Sequence, residues 1–147
     1  MSANTIKTVF AIAGTSSGGR GGHSETSDHL VKVELAGPKP DGSPGRPGAV
    51  TPEHLFAAGY SACFGGAVEH VAKVHKKDAS KAKTTCSVMF GPREGGGFGL
   101  AVKMRVEDMS LPTAELKAFV NEAHEQICPY SHATRGNIDV AFEVVGA

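Results

Sequence analysis

The sequence is short of cysteine and carries no excess of either charge. Three cysteines in 147 residues, Cys63, Cys86 and Cys128, are odd in number and widely spaced. That excludes the disulfide framework of a small secreted domain and points to a reducing, cytoplasmic setting. Fifteen Lys and Arg balance fifteen Asp and Glu, so no basic stripe implies nucleic acid and no polybasic tail implies a membrane surface. Small molecules and a second copy of the chain are the partners left. Long apolar runs are also missing. The opening MSANTIKTVFAIAG is weak for a signal segment, and LFAAGYSACFGGAV, Leu55 to Val68, falls short of the roughly 18 apolar residues of a membrane span. No internal repeat or low-complexity tract appears, and the length suits one globular domain spanning residues 1–147. GPREGGGFG lacks the Lys-Ser/Thr ending of a phosphate loop. His124 and Cys128 are four apart on one helix face, the spacing of a metal pair, but no second such pair accompanies them, so neither zinc nor any other bound cofactor is expected.

What is present reads as an α+β chain. Val31, Val33 and Leu35 alternate with polar residues as in a half-buried strand, with a partner expected from Thr5 to Ala13 and a flexible turn, TSSGGRGG, between them. The Pro- and Gly-dense stretch Ala36 to Val50 reads as an irregular surface loop. It leads into a helix start: Thr51 suits the N-cap, Pro52 the first helical position and Glu53 the positive end of the macrodipole, with the helix running to about His75. Cys86, Val88 and Phe90, then Leu100, Val102, Met104 and Val106, mark the inner faces of a hairpin. Leu116, Phe119, Val120, Ala123 and Ile127 follow helical spacing, giving a second helix stopped near Cys128 by Pro129, and Ile138, Val140, Phe142 and Val144 form a last strand.

Within this frame the chemistry-bearing candidates are few. Cys63 lies about three turns, roughly 15 Å, into the first helix, too far from its N-terminus for the dipole to help. It either packs as a small hydrophobe or is a nucleophile activated by some other cation, since an apolar site disfavours the thiolate. The small residues Gly59, Ala62, Gly66 and Ala67 leave a groove along one helix face, open to a ligand or to another backbone. Cys128, at the end of the second helix, is either a chance helix-end cysteine or a waiting rather than an attacking one, and Cys86 reads as plain core. Arg20, set in GGRGG, is either an exposed turn residue or a cation able to swing over an apolar groove. A cysteine hydrolase pairing Cys63 with His70 or His124 is the alternative enzyme class.

The segments GGRGG, TPEHLFAAGYSACFGGA, GGGFGLAV and CPYSHATRGNIDV, in this order, resemble the organic hydroperoxide resistance proteins of the osmotically inducible protein C superfamily, over nearly the whole chain. The resemblance implies a bacterial thiol peroxidase of α+β class, built as an intertwined homodimer with central helices wrapped by antiparallel β-sheets. Its substrates are alkyl or fatty-acid hydroperoxides, and its reductant is an external dithiol of the dihydrolipoyl type, such as a lipoylated protein. Carried over by motif, Cys63 matches the attacking cysteine and Cys128 its resolving partner, while Arg20 and Glu53 match the activating pair. His54 and Gly21 stand where the family pattern has Gln and Asp. The competing reading is a redox-sensing or binding module that uses the same cysteines without turnover, although the chain offers no DNA-reading element for it.

Overall fold

The structure, a computed structural model, describes residues 4–147. Backbone packing divides the chain into two compact units, Met1–Pro52 and Glu53–Ala147. The first carries a small antiparallel sheet of β1 (Gly14–Ser17), β2 (His23–Thr26) and β3 (Lys32–Glu34), in that order. Leu35, just beyond β3, is its buried anchor and bridges to Val50.

This sheet differs from the pattern read in the sequence. The neighbour of β3 is not the apolar stretch Thr5 to Ala13, which lies in no strand, but the polar segment His23–Thr26. TSSGGRGG is likewise only partly a turn, since Thr15, Ser16 and Ser17 belong to β1. The cause is the glycine cluster. Gly18 and Gly19 take the left-handed conformation, φ 79° and 58°, and a side chain at Gly22 would meet the Ser17 carbonyl oxygen at 1.9 Å. Only glycine closes this short hairpin, and the closure sets β1 beside β2 through backbone hydrogen bonds to which apolar periodicity is blind. Val31 is exposed, so only Val33 and Leu35 face inward.

The second unit begins with α1 (Pro52–Val74), the helix that Pro52 and Glu53 announce. Its residues Tyr60, Phe64, Ala67, Val68, Val71 and Ala72, at helical spacing, are all buried. They join one core with the inner face of a second sheet of β4 (Lys83–Pro92), β5 (Phe98–Asp108) and β6 (Val140–Gly146). Register builds that face in three rows across the strands: Val88, Val102, Val140; Cys86, Met104, Phe142; Thr84, Val106, Val144. The Phe64 and Phe142 rings, 5.4 Å apart, tie helix to sheet. The hairpin turn is held by the Arg93 N–H on the Gly97 carbonyl and the Gly96 N–H on the Arg93 carbonyl, with Gly96 and Gly97 at positive φ.

Two expectations are corrected here, and a third is refined. The sheet is mixed rather than antiparallel, because β6 runs parallel to β5; the whole of α2 (Thr113–Glu122) and the segment after it form the crossover that a parallel pair requires. Phe90 lies outside the core, stacked on Phe98 with ring centres 5.1 Å apart, because the hairpin end extends past the residues that cover the rest of the face. The second helix stops at Cys128 as expected, but α2 itself ends at Glu122. It gives way to a π turn, Ala123–Ile127, and a further short helix, α3 (Pro129–Thr134), follows. Among the described residues no helix is long and apolar enough to cross a membrane.

Candidate active site

Cys63 sits in the middle of α1, half-buried and packed with Phe56 against the edge of the core. Burial pushes its thiol up, the adjacent Cys128 sulfur adds to that, and the Tyr130 backbone N–H opposes it. The environment by itself therefore favours the unreactive form, and the dipole of α1 is too distant to reverse this.

Cys128 reaches the same place from the other end of the unit. Its N–H closes the π turn on the Ala123 carbonyl at 2.9 Å, its own backbone is extended (φ −70°, ψ 119°), and Pro129 then opens α3. A helix end was expected at Cys128, yet the residue also caps the next helix, its sulfur accepting the Ser131 N–H at 3.5 Å. The outcome is a sulfur–sulfur contact of 3.5 Å between Cys63 and Cys128, residues 65 positions apart, with Cys128 only 1% exposed. Both are free thiols.

Beside the two sulfurs lies a buried hydroxyl cluster that the sequence reading missed. Tyr60, one turn before Cys63 on α1 and fully buried, hydrogen-bonds through its phenol to Ser131 Oγ at 2.8 Å and Thr134 Oγ1 at 3.1 Å, both on α3. Its ring packs against Phe56, Phe64 and Tyr130. Gly59 makes room for this cluster, since a Cβ there would stand 3.1 Å from the Tyr130 hydroxyl. A signal existed: Pro129 suits the first position of a helix, and a proline that ends one helix can open another.

The remaining candidates fall as follows. Arg20 is exposed on the short 3-10 turn Gly19–Gly21 of the first unit, and Glu53 is half-buried in the first turn of α1, followed by the exposed His54. Space around Gly21 is open, so nothing in the structure excludes a larger residue there. Cys86 is core, its thiol pushed up by burial. His70 is exposed. His124 lies edge-on against Phe142 at 4.9 Å, and burial lowers its pKa. A second thiol lies against the Cys63 sulfur, an arrangement suited to disulfide chemistry rather than to a cysteine–histidine hydrolase. The small residues of α1 do not form one groove. Ala62 and Gly66 are exposed, Ala67 is core and Gly59 faces Tyr130.

Comparison with known proteins bears directly on this geometry. Residues 43–143 match the family model described as OsmC-like protein. The chain is 42% identical over 139 residues to the organic hydroperoxide resistance protein of Xanthomonas axonopodis pv. citri, covering 94% of this chain and 96% of that one. It is 39% identical over 138 residues to the organic hydroperoxide resistance protein OhrB of Bacillus subtilis, covering 92% and 98%. The crystal structure of an organic hydroperoxide resistance protein from Legionella pneumophila superposes with a TM-score of 0.86 at 42% identity, covering 96% of this chain and 100% of that one.

Proposed function

The chain belongs to the OsmC-like protein family, with organic hydroperoxide resistance proteins as its named relatives, and from that premise we propose that it is a thiol peroxidase that reduces organic hydroperoxides to alcohols. The observation that carries this reading is the contact between the Cys63 and Cys128 sulfurs, made inside one chain and packed against an apolar core. In the proposed cycle the Cys63 thiolate attacks the outer peroxide oxygen. The O–O bond breaks, the alkoxide leaves and takes a proton to become the alcohol, and Cys63 is left as a sulfenic acid. The Cys128 sulfur then attacks the Cys63 sulfur, the S–O bond breaks, and water departs as the disulfide forms. An external dithiol of the dihydrolipoyl type restores both thiols by exchange and becomes a disulfide itself. Such a cycle belongs in the cytoplasm, where thiol reductants are plentiful.

Burial of Cys63 makes a cation necessary, and Arg20 is the residue proposed to supply it, with Glu53 holding the guanidinium through a bidentate pair. Opposite charges near 4 Å interact by roughly 4 kcal/mol at an effective dielectric of 20, enough to offset a large desolvation shift. The same arginine would stabilise the departing alkoxide. The working unit is proposed to be a homodimer, and several exposed apolar features support that. Ile6, Val9, Phe10 and Ile12 are exposed, as is the Phe90–Phe98 stack, and Leu55, Ala58, Ala62 and Gly66 form an open stripe on α1 at helical spacing. The aromatic and aliphatic residues packed with Cys63 favour a substrate with an alkyl tail over hydrogen peroxide.

Steady-state consumption of cumene hydroperoxide with dihydrolipoamide as reductant tests the reading. Many turnovers per chain, with a much lower specificity constant for hydrogen peroxide, are expected. Consumption of one equivalent followed by arrest would instead indicate a sensor.

A further inference from the structure

Tyr60, Ser131 and Thr134 are buried polar groups to which the peroxidase cycle assigns no part. They form a hydrogen-bonded path from α1, one turn before Cys63, to the Cys128 sulfur. Tyr60 shares a face of α1 with Cys63, three residues on; its phenol bonds Ser131 Oγ and Thr134 Oγ1; and Ser131, through its backbone N–H, bonds the Cys128 sulfur. Ser131 is the common node, holding Tyr60 by its side chain and Cys128 by its main chain. On the other side of Cys128 the backbone enters from the π turn, whose closing bond runs from the Cys128 N–H to the Ala123 carbonyl. A π turn carries one more residue per hydrogen-bonded ring than the α-helix before it, a local departure from regular helix on the entry side of Cys128.

We infer that the Tyr60 hydroxyl is a positioning group for the resolving step: it pins α3 to α1 so that Cys128 stays aimed at Cys63, while the π turn yields as the sulfurs close from 3.5 Å to bonding distance. A disulfide requires a separation of about 2.05 Å, so the approach is roughly 1.5 Å. With α3 pinned, that movement is directed toward Cys63. Without the pin, the same slack lets Cys128 wander, and the sulfenic acid waits. The chemistry is the condensation already described: the Cys128 sulfur bonds to the Cys63 sulfur, the S–O bond breaks, and hydroxide leaves with the Cys128 proton as water. The phenol touches neither sulfur, so the first step, attack of Cys63 on peroxide, does not depend on it. This inference rests on the peroxidase reading.

Tyr60→Phe keeps the ring contacts and removes only the hydroxyl. Rapid mixing with one equivalent of alkyl hydroperoxide, read by trapping of the sulfenic acid and by mass spectrometry of the disulfide, separates the two steps. Formation of the sulfenic acid should keep its wild-type rate, and its conversion to the disulfide should slow about tenfold, the scale of a lost buried hydrogen bond. Overoxidation under excess peroxide should rise accordingly. Ser131→Ala should slow resolution in the same direction, and the double variant should be no slower than Tyr60→Phe alone, because loss of the phenol already breaks the link to Ser131. Thr134→Val supplies the same reading should Tyr60→Phe fail to fold. Wild-type resolution in these variants, or equal slowing of both steps, overturns the inference while leaving the peroxidase intact. A wild-type protein that forms no sulfenic acid on Cys63 overturns the peroxidase reading and takes the inference with it.

Discussion

Cys63, the proposed nucleophile, sits where nucleophilic cysteines do not arise unaided. Its apolar packing raises the thiol, the neighbouring Cys128 raises it further, and the Tyr130 N–H works the other way. The proposed role of Arg20 has a pH signature whose sign follows from this. The reactive species is the thiolate, so a protein with the cation keeps its rate as pH falls toward neutrality, and one without it does not. For Arg20→Ala, the rate of peroxide consumption should climb about tenfold per pH unit between about pH 6 and about pH 8, and at neutral pH should lie at least about tenfold below the parent. Stopped-flow profiles that coincide for the two proteins would remove Arg20 from the reaction. At this scale the sequence was informative about reacting atoms and poor about their supports. Cysteine chemistry and motif resemblance singled out Cys63 and Cys128, which the structure brings together. Tyr60 was hidden because a tyrosine in an apolar helix reads as core, and its value lies in where its hydroxyl ends, on residues 71 and 74 positions later.

The elements that announce themselves by apolar period were legible. The first helix begins at Pro52 as its first-turn residues require, and the β4–β5 hairpin keeps Cys86, Val102, Met104 and Val106 on one buried face. What was lost are the elements written in backbone chemistry. β2 is HSET, with no apolar residue, and exists because the glycines before it close a hairpin no other residue type could close. α3 is six residues long and opens on the proline that seemed only to end its predecessor. The π turn leaves no mark in sequence at all, because Ala123 and Ile127 satisfy the helical spacing whichever way the last ring closes. Each of these missed elements adjoins a candidate site residue: the hairpin carries Arg20, and the π turn with α3 carries Cys128. Local departures from regular structure are where side chains are re-aimed, so function and illegibility coincide for a physical reason.

For the molecule as a whole, Glu53 lies ten residues before Cys63 on one helix, roughly 15 Å away and leaning toward the helix N-terminus. One guanidinium cannot readily serve both within a chain, so the proposed dimer would join Glu53 of one copy to Cys63 of the other. Refolding a mixture of Glu53→Ala and Cys63→Ser chains should then restore about half of wild-type activity per heterodimer, because one of its two sites is complete. Recovery of none would confine each site to a single chain.

The central claim, that Cys63 takes the peroxide oxygen and Cys128 resolves it, is tested most directly by giving fully reduced protein one equivalent of cumene hydroperoxide, quenching with a thiol alkylator and mapping the peptides. The account predicts one equivalent of alcohol and an intrachain disulfide joining Cys63 to Cys128, with Cys86 alkylated as a free thiol. Peroxide left unconsumed, or oxidation falling on Cys86 while Cys63 and Cys128 remain alkylated, would contradict it.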